Sequence, residues 1–248
     1  LADMANQPRA IGFALITLLM WSTVATAFKL TLAYASVLQT LAIASVVSSV
    51  VLLVMVAFSG QGAALARSFK ANWRFTLLAG LLNPVIYYLI LFEAYDRLPA
   101  QLAQPINLTW TIVLSLMAGF FLKQRIRRFD YAAALISYTG VLVIVSQGDV
   151  TQLLHADWIG VGLAILSTLV WAGYWTLNIR DDRVPLIGMC LNFVVAAPIV
   201  LVIWGLFDGA LPPIEGLLGG VYIGLFEMSL AFVCWSLALK STDNAATI

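Results

Sequence analysis

Apolar runs of about twenty residues recur along nearly the whole chain, and this pattern leaves few folds open. A hydrocarbon layer roughly 30 Å thick is crossed by a helix of about 20 apolar residues. Barrel strands would instead alternate polar and apolar positions over about ten residues, and no such alternation is present. Of the 248 residues, 62% are hydrophobic and only 10% charged, too few polar groups to cover a water-facing surface. The chain therefore reads as an all-α integral membrane protein.

The runs predict helices at about residues 10–33, 36–58, 75–95, 99–122, 130–147, 158–178, 185–206 and 216–239. A ninth is expected to begin near Asp243. The polar stretch Ser59 to Arg74 reads as a loop. Residues 1–9 read as a tag remnant, Leu1 to Asp3 ahead of Met4, followed by a cytoplasmic N-terminus. Cys190 and Cys234 lie within apolar runs and read as packing residues.

Basic residues orient the chain, because Lys and Arg concentrate in cytoplasmic loops. With the N-terminus inside, Arg9, Arg67, Lys70, Arg74, Lys123, Arg125, Arg127, Arg128, Arg180, Arg183 and Lys240 all fall inside. Only Arg97 falls outside, and Lys29 sits within the first span. The outer loops carry Asp149, His155, Asp157, Asp208 and Glu215.

The chain also repeats itself. The stretch IGFALITLLMWSTVATAF, from Ile11, resembles IGVGLAILSTLVWAGYWTLN, from Ile159, and Trp21 comes into line with Trp171 after a short shift. LLAGLLNP at Leu77 resembles LLGGVYIG at Leu217, and Ala94–Ala103 resembles Ala238–Thr247. The unit holds five helices, an odd number, so the second copy enters from the opposite side. Residues 10–147 form the first repeat and 158–248 the second, inverted and incomplete one. By comparison with the first copy, about 40–50 further residues are expected beyond Ile248.

Inverted repeats are typical of transporters, with the substrate near the midplane between the halves. Polar and aromatic residues inside spans are therefore the candidates. They are Trp21, Ser22 and Lys29 in the first span, Asn83, Tyr87 and Tyr88 in the third, and Asn107 and Trp110 in the fourth. Trp171 and Trp175 in the sixth and Glu227 in the eighth complete the set. Rings would stack on a flat apolar group; amides and hydroxyls would hold a carboxylate and an amine. Alternatives stand beside each. Trp73, Trp158 and Trp204 fit an interfacial belt. Asn83 and Asn107 would equally serve as interhelical hydrogen-bond partners. Lys29 would bind a carboxylate or snorkel to the interface. Glu227 would hold an amine, carry a proton or pair structurally. Gly216, Gly220 and Gly224, four apart, predict close backbone approach.

WSTVATAFK in the first span, WAGYWTLN in the sixth, the basic loop after the fourth and ALKSTDNAA after the eighth resemble the drug/metabolite transporter superfamily. Within it the chain is most similar to the bacterial EamA-type exporters, aromatic amino-acid exporters above all. The resemblance implies a ten-helix inverted-repeat (5+5) bundle around a central cavity. It also implies export of small metabolites, aromatic amino acids first, across the bacterial inner membrane by alternating access. Related exporters handle threonine, cysteine derivatives, purines or drugs. A passive channel and an intramembrane enzyme are the rival classes. The second lacks a His/Asp/Glu cluster within a span, so the chain is not expected to be an enzyme. No cofactor, metal or nucleic-acid partner is expected. The expected partners are an amino-acid substrate and the lipid bilayer, with the chain as a monomer. The orientation is checked by single cysteines: one at Lys70 is expected to react with an impermeant maleimide only in inverted vesicles, and one at Asp208 only in intact cells.

Overall fold

The computed structural model describes residues 7–121, 128–146, 149, 151 and 156–242, and its regular elements among these are all helices. They are α1 (Gln7–Trp21), α2 (Val24–Leu32), α3 (Val37–Phe58), α4 (Gly62–Gly80), α5 (Tyr87–Arg97), α6 (Ala100–Leu108) and α7 (Trp110–Phe121). Next come α8 (Arg128–Ser146), α9 (Trp158–Ile179), α10 (Pro185–Phe207), α11 (Ile214–Tyr222) and α12 (Phe232–Ser241). Six stretches among the described residues are long and apolar enough to cross a membrane: Gln7–Leu32, Val37–Phe58, Gly62–Arg97, Trp158–Ile179, Pro185–Phe207 and Ile214–Ser241. A shorter apolar helix covers Tyr131–Ser146.

Several spans are interrupted where the sequence suggested continuity. The first breaks at Ser22 and Thr23, whose hydroxyls donate to the carbonyls of Leu19 and Met20. The fourth breaks at Thr109, whose hydroxyl donates to Ile106. Such back-bonding lets Ser and Thr satisfy carbonyls that a bend releases. Two spans contain wider π turns, Leu81–Ile86 between α4 and α5 and Ile223–Ala231 between α11 and α12. The first holds Pro84, which has no N–H to donate. In the second, the carbonyl of Gly224 accepts hydroxyls from Ser48 (2.8 Å) and Ser229.

The loop expected over Ser59 to Arg74 is instead mostly helix. Residues from Gly62 join α4, which bends at Asn72 (φ −130°, ψ 27°). Ala, Leu, Arg and Lys between Gly62 and Ala71 are good helix formers, and polarity alone does not make a loop. The expected ninth helix, the tag residues 1–6, and Lys123, Arg125, Arg127 and His155 lie outside the described residues.

Contacts at the helix ends define directions. Thr242, after α12, donates to Gln7 at the start of α1 (2.9 Å), so α12 ends where α1 begins. Lys29 near the end of α2 donates to the carbonyl of Tyr95 near the end of α5 (2.6 Å), so these two run the same way. Arg97, ending α5, lies 3.9 Å from Asp157, which caps α9. Hence α9 runs against α1–α2, and α11–α12 run against α4–α5. Packing is exchanged between the halves: α1 lies on α12, α5 on α9, and α3 on α10.

Close approach carries this packing. A Cβ at Gly224 would lie 2.6 Å from the carbonyl oxygen of Ala44, and one at Gly80 2.7 Å from that of Asn192. Gly216 and Gly220 abut Ala35 and Ile43 in the same way. Without a hydrophobic drive between helices in lipid, such contacts supply the attraction. Gly80→Ala and Gly224→Ala are each expected to destabilise the protein by about 1–3 kcal/mol through overpacking. Gly12→Ala, with no neighbour within 4 Å, is expected to leave the midpoint unchanged or raised. Thermal unfolding in detergent checks all three.

Candidate functional site

The interruptions bring aromatic residues together. Trp21 ends α1 at the first break, and Trp110 begins α7 at the second. With Trp171 on α9 and Trp235 on α12 they form a ring of four indoles. Trp21 lies 6.2, 6.4 and 5.5 Å from Trp110, Trp171 and Trp235, centre to centre. Tyr87 stacks on Trp171 at 4.2 Å with planes 21° apart. Trp175 meets the edge of Trp171 at 5.5 Å. Each such pair contributes about 0.5–1.5 kcal/mol beyond area burial. Trp110 and Trp171 are 4% and 2% exposed, so neither ring faces the acyl chains.

Against three of these indoles lies a cavity of about 30 Å³, lined by Trp21, Phe28, Tyr87, Trp110 and Trp171, with Gln104, Asn107 and Glu227 supplying polar groups. That volume suits one or two waters. Small-molecule sites usually measure about 300–1,000 Å³, so the rings must part before a metabolite can enter.

Glu227 is the chemical centre. It sits on the second π turn, is 5% exposed, and accepts a hydrogen bond from the Tyr88 hydroxyl through Oε1 (2.9 Å). Its Oε2 has no hydrogen bond of good geometry. Trp21 shares the cavity wall, and its indole N–H lies against the Glu227 carboxylate without forming a hydrogen bond of good geometry. A carboxylate so enclosed is costly unless protonated or met by a cation.

Of the predicted residues, Trp21, Tyr87, Asn107, Trp110, Trp171 and Glu227 line the cavity. Tyr88 reaches it through Glu227 and Trp175 backs Trp171. Asn107 has its amide engaged, donating to Ser167 (3.0 Å) and Tyr87 (3.4 Å). Three predicted residues are elsewhere. Ser22 is exposed at the break, its hydroxyl spent on Leu19. Lys29 neither lines the cavity nor snorkels freely: it caps the end of α5 at Tyr95, where terminal carbonyls attract a cation. Asn83 is fully buried beside Tyr174, whose hydroxyl accepts from Asn192 on α10 (3.2 Å). Sequence reasoning missed Phe28, Gln104, Asn192 and Trp235. Gln104 was within reach, because it stands three residues before Asn107 and shares its face.

Both faces of the bundle are tied. On the face holding Gln7, the Arg183 guanidinium pairs with Asp181 at 2.7 Å, both side chains 7% exposed. Arg183 also donates to Thr76 on α4 (2.8 Å), and Lys240 on α12 donates to the carbonyls of Asp181 and Arg183. On the opposite face, Ser36 and Gln39 donate to Asp208. There a cleft of about 550 Å³ is lined by Tyr34, Val37, Glu93, Asp96 and Asp208 among others.

The EamA-like transporter family model matches residues 8–146 and 158–247, so the chain belongs to that family of membrane transporters. An uncharacterized transporter of Clostridium kluyveri is 26% identical over 184 residues, 69% of this chain and 58% of that protein. The match thus spans less than two thirds of that relative's length. A crystal structure of another protein shares the fold, with a TM-score of 0.72 and 22% identity, covering 97% of this chain and 82% of its own. The protein is a multi-pass membrane protein of the EamA-like transporter family.

Two substitutions separate the site's contributions to stability. Tyr88→Phe leaves Glu227 without its donor and is expected to cost about 1–3 kcal/mol. Trp171→Ala opens the ring cluster and is expected to cost about 3–5 kcal/mol. Unfolding midpoints of the purified variants rank the two.

Proposed function

We propose that this protein is a secondary transporter that exports small metabolites, aromatic amino acids first, across the bacterial inner membrane by alternating access. The observation that carries the reading is the indole-lined cavity around Glu227, walled by Trp21 of α1, Trp110 of α7 and Trp171 of α9. Flat apolar side chains of Phe, Tyr or Trp would replace the ring-on-ring contacts that now fill the space.

Two inverted five-helix repeats form the moving parts in this reading. The antiparallel course of α9 against α1–α2, and the exchanged packing between halves, support it. The face with Gln7 and Arg183 is the cytoplasmic one. The Asp181–Arg183–Thr76 contacts would break as the cavity opens inward, and the Ser36–Asp208 contacts as it opens outward. Water meets the separated charges in either state, so a latch of this kind is reversible. Candidate substrate contacts are Trp21, Tyr87, Tyr88, Asn107, Trp110, Trp171, Trp175 and Glu227.

Counterflow in liposomes tests the reading. Labelled phenylalanine or tryptophan is expected to exchange saturably, and Trp171→Ala is expected to lower that exchange about tenfold or more by removing roughly 1.4 kcal/mol or more of binding. Exchange confined to small polar amino acids, or flux that never saturates, would sink it.

A further inference from the structure

We propose that the cavity recognises the ring and the amine of its substrate and not the carboxylate, so that aromatic amines and amino-acid amides are substrates at least as good as the amino acids. This rests on the reading of the indole-lined cavity as the transport site.

The charges around the cavity are of one sign. Among the described residues lining it, Glu227 carries the one carboxylate, and no Lys, Arg or His is present. Lys29, the cation within the first span, is held 2.6 Å from the carbonyl of Tyr95 and takes no part in the lining. The amide of Asn107 is already donating to Ser167 and Tyr87. A substrate ammonium therefore meets a counter-ion in Glu227 Oε2, which has no hydrogen bond of good geometry. The faces of Trp21, Trp110 and Trp171 add a second attraction for a cation. A substrate carboxylate finds no Lys, Arg or His in the lining to pair with, and burying it there unpaired is costly. The cleft on the opposite face is lined by Glu93, Asp96 and Asp208, of which Glu93 is paired with Arg97 at 2.8 Å.

The test uses the purified chain and the phenylalanine series, read by quenching of tryptophan fluorescence. Three of the eight tryptophans, Trp21, Trp110 and Trp171, line the cavity. Phenylalaninamide and the permanently charged phenethyltrimethylammonium are expected to half-saturate at concentrations about fivefold or more below phenylalanine. The anion 3-phenylpropionate is expected to give no saturable response. Glu227→Gln is expected to abolish the advantage of the amines, and the wild-type series alone is decisive if that variant does not fold. Amines that bind no tighter than phenylalanine, or 3-phenylpropionate that binds as well as it does, would overturn the inference while leaving aromatic amino-acid transport intact. If phenylalanine itself neither binds nor exchanges in liposomes, the transport reading and the inference fall together.

Discussion

Hydrocarbon offers no partner to a backbone N–H or C=O, and every other feature of this protein answers to that. Helices satisfy their own backbones, so the chain crosses lipid as helices. Each departure from the helix must then be repaired locally. At Ser22, Thr23 and Thr109 side-chain hydroxyls take up carbonyls of the preceding turn. At Gly224 two serines do so. These repaired breaks occur beside the cavity rather than at random: Trp21 and Trp110 flank two of them, and Glu227 lies on a third.

Close packing is the second consequence. Lipid tails are as apolar as the helices, so association depends on contact and on interhelical hydrogen bonds. Glycines admit the backbone of α3 against the π turn after α11, and that of α10 against α4. With the scaffold held at those seams, the central rings need only weak mutual attraction.

The third consequence is electrostatic. A carboxylate in the middle of a span is tolerable only with partners, and Tyr88 supplies one of the two that Glu227 needs. Its unsatisfied oxygen is an invitation to a cation or a proton. Asn83, in the first π turn, and Asn192, on α10, carry further amide atoms without well-formed bonds. Polar groups in such surroundings are expensive.

The helical class, the order of the spans and the aromatic and acidic candidates within them were legible in the sequence, because hydropathy over twenty residues reports directly on solvent. Trp21, Trp110, Trp171 and Glu227 could be named for the same reason: each is the wrong residue for acyl chains. Where they meet was not legible. Lys29 and Ser22 were candidates in the same span as Trp21, yet one caps a helix end and the other faces out. Phe28, Gln104 and Trp235 escaped because their significance lies in contacts between helices far apart in the chain. Local composition determined that the chain lives in a membrane as helices; only tertiary packing decided which side chains share the cavity, because rotation about each helix axis is settled by its neighbours and not by its own residues.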